Sequence, residues 1–335
     1  MNPKMWIRAL QIIPRINQEE WDRLDVVSHW LIATRAAALV VTFASALIAG
    51  LLAWRDGSIN FLWWFLLLVG LYFAHGTNNL INDWVDAYKG VDDSNYFRTQ
   101  YGPQPVQQGL MSRRQTLTYI TITGLIALTC GLFLVIQRGG LAWWLLAIGV
   151  VFVLFYTWPF KWIGLGEISV LAVWGPLMVG GGYYILTGNW DWMVVLASLP
   201  PALGTTMAIF GKHIDKLDAD KTKGIHTLPV LLGDRASRMS ALGMMVIQYL
   251  LVIYLVAIGY FSPVLLVVFL SLTTVPMVYK IFKEPKPATE PSDYPPNVWP
   301  LYYVAAGFYF ARRFVMLYLL GVILDVILHL TGVVN

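Results

Sequence analysis

The chain has 335 residues, 58% of them hydrophobic and only 13% charged, with a formal net charge of +4 and a mean hydropathy of +0.62. Soluble domains carry about 25% charged residues, so an ordinary soluble domain is excluded. The lone cysteine, Cys130, excludes an internal disulfide and a cysteine-built zinc or iron–sulfur centre.

What remains is an all-α, polytopic integral membrane bundle. Residues 1–28 interleave Trp6, Ile7, Leu10, Ile12 and Ile13 with Lys4, Arg8, Arg15 and Arg23. That pattern reads as a cytoplasmic amphipathic segment lying on the membrane surface. It lacks the short apolar core and small-residue cleavage site of a signal peptide. Residues 29–335 read as one transmembrane domain of about nine helices, predicted at about 29–54, 60–82, 113–137, 140–158, 166–187, 190–212, 236–259, 262–282 and 299–331. The last stretch is too long for one straight span, and Arg312-Arg313 is expected to divide it. Cys130 lies within an apolar run and reads as a small core side chain. The stretch 284–296 is proline-rich and polar, hence a loop.

Charge sets the orientation. Lys89, Arg98, Arg113 and Arg114 follow the second span, and Lys212, Lys216, Lys221, Lys223, Arg235 and Arg238 cluster after the sixth. The opposite loops offer Arg55 and Arg138. By the positive-inside rule the N-terminus is cytoplasmic and the protein is a multi-pass protein of the cytoplasmic membrane. Because the positive charge follows topology rather than forming a separate basic face, no nucleic-acid partner is implied.

Two acidic clusters close hydrophobic runs on that cytoplasmic side. The first is Asn79-x-x-Asn82-Asp83-x-x-Asp86, followed by Asp92 and Asp93; the second holds Asp215, Asp218 and Asp220. Carboxylates near membrane depth are expensive and default to function. Asp83 and Asp86 are three residues apart, as are Asp215 and Asp218, so on a helix each pair shares a face. Carboxylates and amides of this kind suit Mg²⁺, which takes one or two carboxylates together with waters and substrate phosphates. Neighbouring Lys and Arg side chains would neutralise remaining phosphate charge. Solvated loop acids are the bland reading, above all for Asp92, Asp93 and Asp220, and a cation or proton pathway is a second. Lys212, Lys216, Lys221 and Lys223 beside the acids speak against a cation path.

Asn79-x-x-Asn82-Asp83-x-x-Asp86 resembles the first signature of the UbiA superfamily of intramembrane prenyltransferases. Several further stretches are similar to the MenA-like branch, which prenylates dihydroxynaphthoate in menaquinone synthesis. They are Asp86-x-x-x-Gly90-x-Asp92, Val106-x-x-Gly109-Leu110, Gly164-Leu165-Gly166-Glu167, and Gly175 to Gly180 running on to Tyr183-Tyr184 and Thr187-Gly188. Gly224-x-x-Thr227-Leu228 with Leu232-Gly233 resembles the element that closes the second motif.

The resemblance implies a nine-helix bundle whose cavity opens to the cytoplasm. Two Mg²⁺ ions would bridge the aspartates to an isoprenoid diphosphate, and the prenyl group would pass to an aromatic acceptor. Asp83, Asp86, Asp215 and Asp218 would be catalytic metal ligands, with Asn82 and Asp220 completing the set and Asn79 supporting the substrate. Lys161, after Tyr156-Thr157-Trp158-Pro159, matches a position that contacts diphosphate, with positive-inside anchoring the alternative. Arg35, Arg98 and Lys212 are further phosphate candidates, and Tyr156 is a candidate to line the path of the cation, with interfacial anchoring the alternative. The second cluster departs from the common pattern, which sets its acids four apart after an Asn-rich lead. Here Lys212-His213-Ile214 precedes Asp215, Asp218 and Asp220, and which of the three bind metal is left open. His213 and His226 flank that cluster and read as lining a polar loop, while Asp325 stands as an isolated acid in the last span. Two alternatives stay in play: a (bacterio)chlorophyll synthase-like enzyme, and a non-catalytic membrane subunit or transporter.

Overall fold

The computed structural model describes residues 1–90, 104–296 and 298–333. They form fifteen α-helices joined by 3₁₀ and π segments. The N-terminal region holds α1 (Pro3–Gln11), α2 (Gln18–Asp22) and α3 (Val26–Ala33). Asp25 ties it together, accepting from the backbone N–H groups of Asn2 at 2.6 Å and Ser28 at 3.0 Å and from Trp6 Nε1 at 3.0 Å.

The predicted first span is not one helix. Arg35 adopts the left-handed conformation at φ 56°, and a 3₁₀ turn (Ala36–Ala38) intervenes before α4 (Val40–Arg55). Left-handed φ is rare in a residue with a Cβ, and here it re-aims the Arg35 side chain toward the next helix. That helix, α5 (Phe61–Tyr88), is capped by Asn60 and runs 28 residues, six past the predicted end, so the first acidic cluster is helical.

Next come α6 (Arg113–Arg138), opened by a Ser112–Gln115 capping box, and α7 (Leu141–Phe155). At 15 residues α7 is short, spanning about 22 Å against the ~30 Å of a bilayer core. The fifth predicted span is α8 (Gly166–Ala172), a π segment (Val173–Gly180) holding Pro176, and α9 (Gly181–Thr187). A proline cannot donate to the helical ladder, and widening by one residue accommodates it.

Then follow α10 (Trp192–Asp215), α11 (Leu217–Thr222), α12 (Leu228–Leu232), α13 (Asp234–Ala257), a 3₁₀ stretch (Pro263–Thr274) that continues into α14 (Val275–Lys283), and α15 (Tyr303–Leu330). Among the described residues eight helical segments are long and apolar enough to cross a membrane, and α7 is a shorter apolar ninth.

Arg312-Arg313 does not divide the last span: α15 is continuous over 28 residues. Both arginines are exposed on its flank, and Arg312 donates to the Gln11 carbonyl at 3.4 Å, so neither charge has to be buried and no break is needed.

Small residues set how closely the helices approach. On α10, Gly204, Ala208 and Gly211 face Ala311, Gly307 and Tyr303 of α15; a Cβ on Gly211 would lie 2.6 Å from the Tyr303 carbonyl oxygen. Gly182 packs against Ala49 and Leu67 in the same way. The isolated Asp325 has a structural role at the end of the bundle where α4 finishes. It accepts the Ser262 N–H at 2.7 Å, and Arg55 lies 3.6 Å from its other oxygen.

Candidate active site

The C-terminal third of α5 carries the first cluster, and distant parts of the chain bring cations to it. Asn82, Asp83 and Asp86 are all buried, and polar groups in that setting need partners. Arg35, freed from the helical path by its left-handed backbone, pairs with Asp83 and donates to Asn82 Oδ1 at 3.3 Å. From the 3₁₀ turn after α7 (Phe160–Ile163), Lys161 places Nζ 2.8 and 3.0 Å from the two oxygens of Asp86. Asn82 joins the two pairs, its amide donating to Asp86 Oδ2 at 3.2 Å and to Thr157 Oγ1 at 3.1 Å. Asn79 lies one turn earlier and donates to the Thr34 carbonyl at 2.8 Å, which anchors the break before Arg35. Gly76 lets this happen, since a Cβ there would already press on Thr34 at 3.2 Å.

The three-residue spacing aligns the acids of the first cluster and fails for the second. Asp215 ends α10, whereas Asp218 and Asp220 belong to α11, and Lys216 between them has left the helical conformation (φ −108°, ψ 7°). Asp215 and Asp218 therefore share no helix face. The Asp215 carboxylate is wholly buried, 3.1 Å from Lys286 Nζ. It accepts the N–H groups of Tyr302 and Val304 at 3.0 and 2.9 Å, so it caps the start of α15. Asp218 is exposed. Asp220 is buried, with Lys216 Nζ 3.2 Å away and equally buried. Lys212 sits half-buried in the last turn of α10. Arg98, Asp92 and Asp93 lie outside the described residues.

Two residues that sequence reasoning left without a role connect the clusters. Glu167 pairs with the buried His213 and accepts the Leu228 N–H at 3.3 Å. Gly166, its neighbour, packs on Lys161, where a Cβ would stand 3.3 Å from the Lys161 Cα. The signals for Glu167 were its place in the Gly164-Leu165-Gly166-Glu167 stretch that carries the resemblance and an acid at the head of an apolar run. The rim closes further through His226 N–H to the Trp162 carbonyl at 3.1 Å, Lys223 Nζ to the Gly90 carbonyl at 3.3 Å, and Lys89 over the rings of Trp158 and Trp162.

Next to this cluster a cavity of about 410 Å³ lies between α5, α6, α7 and the π segment, with Asn78 and Tyr156 at its nearer end in the chain. His75, Asn78 and Tyr156 are among its few polar lining groups; Leu71, Leu128 and Leu146 typify the rest. His75 is held by Thr42 Oγ1 at 2.7 Å, which in turn accepts from Trp174 Nε1 at 3.0 Å. A charged, hydrogen-bonded cluster and an apolar cavity thus adjoin along α5, which suits a ligand with an anionic head and a hydrocarbon tail.

Among the described residues no three His, Cys, Asp or Glu side chains converge. The first cluster nonetheless offers Asp83, Asp86 and the Asn82 amide oxygen on one helix end, a donor set adequate for one Mg²⁺ completed by water and phosphate. In the second, the two buried carboxylates are engaged in different directions, Asp215 by Lys286 and Asp220 by Lys216.

A family model described as the UbiA prenyltransferase family matches residues 42–299. The chain is 27% identical over 226 residues to the 1,4-dihydroxy-2-naphthoate octaprenyltransferase of Escherichia coli (strain K12), covering 62% of this chain and 70% of the relative. It is 30% identical over 215 residues to the digeranylgeranylglyceryl phosphate synthase of Natronomonas pharaonis, covering 64% and 71%. Among solved structures it resembles an apo UbiA homolog from Aeropyrum pernix K1, with TM-score 0.64, 17% identity and coverage of 85% and 97%. A second is a UbiA homolog from Archaeoglobus fulgidus bound to GPP and Mg²⁺, with TM-score 0.57, 18% identity and coverage of 88% and 99%.

Proposed function

The chain belongs to the UbiA prenyltransferase family and is an integral multi-pass membrane prenyltransferase, and from that premise we propose that it transfers a polyprenyl group from an isoprenoid diphosphate to an aromatic acceptor, in quinone synthesis of the menaquinone type. The observation that carries the reading is the joining of Arg35–Asp83 and Lys161–Asp86 through Asn82, four residues along α5 from Asn78, which lines an apolar cavity.

Asp83, Asp86 and Asn82 would hold Mg²⁺, which supplies charge neutralisation for the departing diphosphate. Arg35 and Lys161 reach the carboxylates on long side chains from other elements, so they can turn onto phosphate oxygens when substrate enters. The cavity holds the hydrocarbon tail and keeps water from the reacting carbon. The C–O bond to diphosphate breaks, with its electron pair leaving on the diphosphate. The allylic carbon then takes an electron pair from the acceptor ring, and the ring carbon loses its proton. Residues 1–28 form a cytoplasmic surface segment in this reading, and the positive loops set the active-site mouth on the cytoplasmic side.

The test is transfer by purified protein in lipid, with labelled geranylgeranyl diphosphate, Mg²⁺ and separate acceptors: dihydroxynaphthoate, hydroxybenzoate, homogentisate, chlorophyllide and geranylgeranylglyceryl phosphate. Product with dihydroxynaphthoate alone supports the reading. Product only with chlorophyllide or the glyceryl phosphate moves the chain to another branch, and no turnover with any acceptor favours a non-catalytic role.

A further inference from the structure

We propose that the second acidic cluster takes no metal ion, because Lys216 is its built-in cation, and that substrate diphosphate is bound with a single divalent ion at the first cluster. This rests on the prenyl diphosphate reading above.

The two clusters differ in how their carboxylates are neutralised. At the first, among the described residues, the paired cations arrive from distant elements, Arg35 onto Asp83 and Lys161 onto Asp86. These two carboxylates and the Asn82 amide oxygen share one helix end. At the second, Lys216 and Asp220 are four residues apart on adjoining turns, with both side chains only 4% exposed at 3.2 Å. In this short, buried, local pair Lys216 Nζ occupies the place beside Asp220 Oδ1 that a dication would take. Asp215 cannot compensate. Its oxygens hold Lys286 and two amides at the head of α15, and turning away would strip that helix end of its acceptor. Asp218 alone is open to solvent, and one exposed carboxylate does not define a Mg²⁺ site. The net effect is a fixed ammonium where a second exchangeable ion would otherwise stand.

The experiment counts ions rather than turnover. Full-length protein in lipid nanodiscs is titrated with Mn²⁺ and followed by electron paramagnetic resonance, with and without the unreactive thiolo analogue of geranylgeranyl diphosphate. One analogue-dependent ion per chain is expected, lost in Asp83→Asn and kept in Asp220→Asn, with a second ion gained in Lys216→Asp. Two ions in the unaltered protein overturn the inference while leaving the diphosphate reading intact. A folded Lys216→Asp protein that still binds one ion overturns the role of Lys216. No analogue-dependent ion at all overturns the diphosphate reading and this inference with it. Should Lys216→Asp not fold, the count in the unaltered protein decides.

Discussion

Lys161 Nζ lies 2.8 and 3.0 Å from the two carboxylate oxygens of Asp86, and the carboxylate is 0% exposed. A buried pair broken on one side leaves an uncompensated charge, at a cost of about 3–5 kcal/mol. Lys161→Met is therefore expected to lower thermal stability in detergent sharply. Lys161→Met combined with Asp86→Asn is expected to recover most of it, because no lone charge remains. Neither protein should turn over, so unfolding scans and activity assays on the same preparations separate the structural from the chemical role.

Asp83→Asn keeps size and shape and removes one charge from the Arg35–Asp83 pair. Turnover is expected to fall by about 10²–10³-fold, the size seen when one element of transition-state charge stabilisation is lost. Analogue binding at high Mg²⁺ should persist more than turnover does. Equal loss of both would point to a binding role only.

Gly149 lines the cavity, and a Cβ there meets nothing within 4 Å. Gly149→Leu, whose Cβ has open space, is expected to narrow the cavity. Geranyl diphosphate should remain a donor, while kcat/KM for geranylgeranyl or longer donors drops at least about tenfold, equivalent to ~1.4 kcal/mol. An unchanged donor profile would show that the tail lies elsewhere.

Gly211 sits where α10 meets the head of α15, and a Cβ on it would stand 2.6 Å from the Tyr303 carbonyl oxygen and 2.7 Å from the carbonyl carbon. Both are backbone atoms, so the helices must separate. Gly211→Ala is expected to cost about 1–3 kcal/mol, and the separation should also weaken the Asp215 cap four residues on. Gly243→Ala, with open space around its Cβ, is the matched control, and thermal unfolding of the two compares them.

Asp25 gives a pH dependence outside the membrane. Burial pushes its carboxyl up, but hydrogen bonds from the Ser28 backbone, Trp6, the Asn2 backbone and the Ser28 hydroxyl outweigh that and hold it well below the usual range. Its folded value is thus depressed. The stabilising contribution is present above the unfolded value of about 3.9 and is lost as pH falls from there through the folded value. Amide exchange of residues 2–11, corrected for intrinsic rate, should stay protected at neutral pH and open only in strong acid. Asp25→Asn should open it at all pH values.

Much of this protein was determined by sequence alone. Hydropathy determined the membrane bundle and the approximate place of its apolar segments, because the bilayer imposes a length and an apolar composition on every crossing segment. The first cluster was legible for a similar reason: Asn79, Asn82, Asp83 and Asp86 lie on one continuous helix, α5, where separation along the chain translates directly into a face.

Only the tertiary structure decided the rest. Arg35 finds Asp83 across 48 residues, Lys161 finds Asp86 across 75, and Lys286 finds Asp215 across 71; no local spacing encodes such partners. The same three-residue interval that aligned Asp83 with Asp86 failed for Asp215 and Asp218, because the helix breaks at Lys216. That break places one carboxylate under the head of α15 and leaves the other in water. Charges in a low-dielectric bundle must be paired wherever the packing brings a partner within reach, so each acid's role follows from which distant element folds against it.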